Sequence, residues 1–96
     1  MTWIRTISPA QAEGELQRSY AALYAMYPPE YRDEVPAVAR ADGSADSIVA
    51  AHSLLPEAMF HMCAGFAKLL SPELPLTRQQ HELIATLVSA LNRCFY

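Results

Sequence analysis

The side chains best suited to chemistry lie near the end of this 96-residue sequence: Glu82, a carboxylate able to move a proton, and Cys94, a thiol able to act as a nucleophile. The other cysteine, Cys63, stands among Met59, Met62 and Phe66, where a thiol behaves as a small hydrophobe. A disulfide between Cys63 and Cys94 would need Cα atoms within about 7 Å. His81-Glu82 opens like a His-Glu-x-x-His zinc site, but the fifth position is Ala85, so half of the metal-ligand pair is missing and the motif is rejected. His52, His61 and His81 fall on different helical segments and share no ligand spacing with a carboxylate or thiol, which reads as surface or core-edge histidine. Tyr20, Tyr24 and Tyr27 read as packing side chains that could border a ligand pocket, and Trp3 as one that docks on the body or on a neighbouring subunit.

These residues have to be held by helices. Ser8-Pro9-Ala10-Gln11 has the form of a helix start, with Ser8 at the N-cap, Pro9 at the first helical position and Gln11 completing a capping box. Leu16, Tyr20, Leu23, Tyr24 and Tyr27 then form one apolar stripe that Pro28-Pro29 terminates, and Gly14 weakens only the first turns. Residues 30–45 show no sustained period and are expected to be a loop with one short helical turn. A second helix is expected from about Asp46 to Leu55, with a kink or break at Leu55-Pro56. A third runs from Pro56 to about Leu70 and presents Met59, Met62, Cys63, Phe66, Leu69 and Leu70 as a core face. Ser71-Pro72-Glu73-Leu74-Pro75 is a rigid connector, and Thr77-Arg78-Gln79-Gln80 supplies a second capping box. In the fourth helix, Leu83, Ile84, Leu87, Val88 and Leu91 span about 140° of the circumference, a stripe expected to face the core. Glu82, Ser89 and Arg93 cluster opposite, flanked by the small Ala85 and Thr86, a face suited to close approach by another helix. No period-2 strand pattern appears, so the fold class is all-α, with about four amphipathic helices in one domain over residues 1–96.

Composition excludes several functions. Net charge is −3, with one lysine and six scattered arginines, which leaves little for counterion release and makes nucleic acid a poor partner. The longest apolar runs are a few residues, far short of the roughly 20 that a bilayer-spanning helix needs. The N-terminal residues lack the pattern of an export signal, so the cytoplasm is the expected compartment, and two cysteines are too few for a disulfide framework.

The segment from Glu82 to Tyr96 resembles the signature of the alkylhydroperoxidase D-like, or carboxymuconolactone decarboxylase, superfamily. In its peroxidase-related branch that signature runs Glu, eleven residues, Cys-x-x-Cys, three residues, His, often with Asn two before the first cysteine and an aromatic just before the second. Glu82 and Cys94 have this separation, Asn92 and Tyr96 take the Asn and aromatic places, and Thr77 starts the helix five residues before Glu82 as in the family. The connector from Leu70 to Thr77 is also similar, so the resemblance covers roughly residues 56 to 96, and the first half by helical pattern only. It implies a thiol-dependent antioxidant that reduces a hydroperoxide at the expense of a thiol electron donor. Cys94 would match the first, resolving cysteine and Glu82 the proton-relay carboxylate. Neither cofactor nor metal is implied.

The sequence departs from that pattern after Tyr96, where the second cysteine and the histidine would follow. Glu82 cannot serve Cys94 directly, because twelve residues of helix separate them by roughly 18 Å. Without a returning helix that carries the histidine, Glu82 is expected to lack a partner. The chain therefore reads as the N-terminal part of such a protein, halted inside the motif and not competent alone. Two alternatives stand beside this: a carboxymuconolactone decarboxylase-like lyase on the same fold, against which Asn92-Arg93-Cys94-Phe95-Tyr96 counts, and a non-catalytic helical oligomer. A homo-oligomer is expected because broad apolar stripes in so short a chain leave surface that a monomer covers poorly.

Overall fold

The computed structural model of the chain describes residues 3–32, 36, 41 and 47–94. It is all-α: among the described residues there are four α-helices and no strand. They are α1 (Gly14–Met26), α2 (Ser47–Ala51), α3 (Pro56–Leu69) and α4 (Arg78–Leu91).

The first helix starts later than the sequence suggests. Ser8 opens a single 3-10 turn, Pro9–Gln11, and Gln11 Oε1 accepts from both the Ser8 N–H (3.4 Å) and the Ser8 hydroxyl (3.1 Å). Ala12 and Glu13 are then extended, and Gly14 takes φ +54°. Gly14 is thus more than a weak spot in a long helix. It is the joint that lets Ala12 turn into the core while α1 sets off in a new direction, in a conformation that costs a residue with a Cβ about 1–2 kcal/mol.

At the other end of α1, Tyr27 returns to extended geometry, and a 3-10 turn, Pro29–Arg32, supplies the short turn expected after it. Apart from that turn, Pro36 and Ala41, the loop expected over residues 30–45 lies outside the described residues. The second helix is shorter than expected, since its residues from His52 onward form turns instead. Leu55 has φ −129° and ψ 75°, because a residue before proline is pushed out of helical geometry, and Pro56 then opens α3 as its first residue.

The core lies where α1 crosses α3. Leu16, Tyr20 and Leu23 from α1 meet Met59 and Cys63 from α3, with Val49 and Ala50 of α2 and Ala12 closing the sides. Leu23 and Met59 are 0% exposed. Tyr24 and Tyr27 pack against this cluster, and the Tyr20 and Tyr24 rings stack at 6.1 Å, as the tyrosine stripe predicts. A polar clamp ties the N-terminal strap to the core: the Tyr20 hydroxyl donates to the Ile7 carbonyl (2.7 Å), and the Ile7 N–H donates to Oγ of the buried Ser53 (2.8 Å).

Two sequence expectations fail here for one reason. On α3 the buried arc is Met59, Cys63 and Ala67, whereas Met62, Phe66 and Leu69 on the adjoining flank are more than half exposed. On α4 no residue is buried, and the whole stripe from Leu83 to Leu91 faces outward. Helix-on-helix packing is concentrated in the α1–α3 pair, and one partner covers only about one arc of a helix. Trp3 is likewise fully exposed and docks on none of the described residues.

Replacing Gly14 with Ala should lower unfolding stability by about 1–2 kcal/mol in a urea titration, because a Cβ at that φ is strained although nothing lies within 4 Å to clash with it. An unchanged or higher midpoint would show that the joint does not need glycine.

Candidate functional site

The two site residues expected from sequence both belong to α4 or its end. Thr77 caps the helix as expected: its Oγ1 accepts from the Gln80 N–H (3.2 Å), and its own N–H donates to Gln80 Oε1 (2.8 Å). The first turn is further held by Arg78, whose Nε donates to Glu82 Oε1 at 2.7 Å and whose Nη1 donates to Glu30 Oε1 at 3.1 Å. Glu82 therefore does have a partner, contrary to expectation, and it is a guanidinium one turn back on its own helix. The i, i+4 spacing of Arg78 and Glu82 could have revealed this, whereas the link to Glu30, 48 residues away, could not be read from spacing. All three side chains are substantially exposed, so these pairs orient the carboxylate more than they stabilise the fold.

Cys94 lies just past the other end of the helix. Arg93 takes φ +51°, its N–H donates to the Ala90 carbonyl (3.1 Å), and the Cys94 N–H donates to the Ser89 carbonyl (2.8 Å). This is a Schellman termination with arginine where glycine is usual. It stops α4 and fixes the backbone of Cys94 beside a shallow hollow lined by Ala85, Thr86, Ser89 and Ala90. The small-sided face expected from sequence is thus present, and it opens to solvent next to the thiol.

The cysteines occupy opposite environments. Cys63 is buried in the core, where loss of solvation pushes its thiol up from the ordinary value, so the thiolate is disfavoured. Cys94 is exposed, and the two are free thiols with no bond between them. Glu82 and Cys94 are not brought together: Cys94 lies beyond Leu91, nine helical residues and roughly 14 Å of axial rise past Glu82. The histidines do not converge either. His52 Nδ1 bonds the Ile48 carbonyl (2.8 Å), His61 meets the edge of Phe60, and His81 lies on α4. Among the described residues, no three His, Cys, Asp or Glu side chains gather as a metal-holding group. No helix among them is long and apolar enough to cross a membrane.

One concavity was not anticipated. A cleft of about 630 Å³ separates the end of α1 from the α3–α4 connector, with Met26, Tyr27, Leu70 and Leu76 as apolar lining and Lys68, Glu73, Arg78 and His81 among its polar groups. Its rigid walls come from Pro28-Pro29 and Pro72, the one sequence signal that could have marked it. Tyr27 borders this cleft, as the tyrosine cluster allowed. Lys68 and Glu73 pair with each other (3.3 Å), and the cleft holds no nucleophilic thiol.

Comparison with known proteins finds no relative: no family model, no curated protein and no solved structure matches the chain.

With a thiol-specific reagent in native buffer, one thiol per chain should react promptly, and peptide mapping should place it at Cys94. Cys63 should label only when the chain unfolds. Equal labelling of both under native conditions would contradict the burial of Cys63.

Proposed function

We propose that the chain forms part of a thiol-dependent hydroperoxide reductase in which Cys94 is the resolving cysteine and Glu82 the proton-relay carboxylate. One observation supports this above the others. The thiol that matches the motif is exposed and held in a fixed backbone setting, while the thiol that does not match is sealed in the core.

The chemistry asks little of a resolving cysteine beyond access. A peroxidatic thiolate attacks the terminal oxygen of a hydroperoxide, the O–O bond breaks, and an alcohol leaves with sulfenic acid on the enzyme. The Cys94 sulfur then attacks the sulfenic sulfur, a disulfide forms, and the hydroxyl departs as water with the thiol proton. A dithiol donor restores both thiols by exchange. Glu82 serves the proton steps in the resemblance-based role, and for that it must exchange Arg78 for a histidine partner. Among the described residues the other thiol, Cys63, is buried and not bonded to Cys94, so the described residues do not supply the peroxidatic thiol of this cycle.

Two readings of one preparation test the proposal. Incubated with a hydroperoxide and a regenerating dithiol, the chain should show no turnover above buffer; sustained turnover that disappears in Cys94→Ser would contradict the assigned role. Mixed with a cysteine sulfenic acid peptide, the native chain should form a mixed disulfide at Cys94 and none at Cys63, whereas no adduct at Cys94 would remove the basis for calling it a resolving thiol.

A further inference from the structure

We draw no further inference here: the strongest candidate, the proline-walled cleft of about 630 Å³ between the end of α1 and the α3–α4 connector, has Lys68 already paired with Glu73 and Arg78 with Glu30 and Glu82, and nothing in the structure shows what fills it.

Discussion

The packing of α1 against α3 around Leu23 and Met59 is the interaction on which the rest of the structure depends. These two side chains are fully buried, and burying each stabilises the fold by roughly 2–3 kcal/mol. The Tyr20–Ile7–Ser53 clamp fastens the N-terminal strap to the same place, in a buried setting where each polar group must find a partner. Burial raises the Tyr20 hydroxyl above its ordinary value, partly offset by a hydrogen bond with Ser53, so the tyrosine stays a neutral donor at physiological pH. Among the described residues no buried side chain belongs to α4, which joins the pair through its first turn and the connector.

That arrangement explains why the site has the form it does. The thiol that the core needs, Cys63, is withdrawn from chemistry by the same packing that makes it useful as a small apolar side chain. The thiol open to chemistry, Cys94, belongs to the element the core does not hold, and its position is set locally by the Arg93 turn and the bond to Ser89. Glu82 is likewise oriented by its own helix, through Arg78. The candidate site residues are therefore two separately fixed groups on one helix and its end. The proposed chemistry requires a further thiol and a base to join them into a site.

Much of this was legible in the residues. Proline and capping-box signals placed the starts of α3 and α4 correctly, because those rules concern only a few neighbouring backbone groups. The tyrosine stripe of α1 faced the core as its spacing required. Gly14 departs from its expected place inside a longer helix because a glycine that loosens a helix and one that begins it look alike in sequence; only the positive φ tells them apart. The outer flank of the α3 stripe and the whole α4 stripe lie outside the core for a different reason. Periodicity shows which side chains avoid water, while what covers them depends on how many helices surround that face. The Arg78–Glu30 contact and the proline-walled cleft arise from segments far apart in the chain, beyond the reach of spacing rules.

The packing of α1 against α3 holds the fold, and α4, on which no residue is buried, stands outside that core. Amide hydrogen exchange, followed by mass spectrometry over a dilution series, reads this most directly. The slowest amides should lie in α1 and α3 at every concentration, while those of α4 should exchange faster. Amides in α4 that exchange as slowly as those of α3 at the highest dilution would contradict the account.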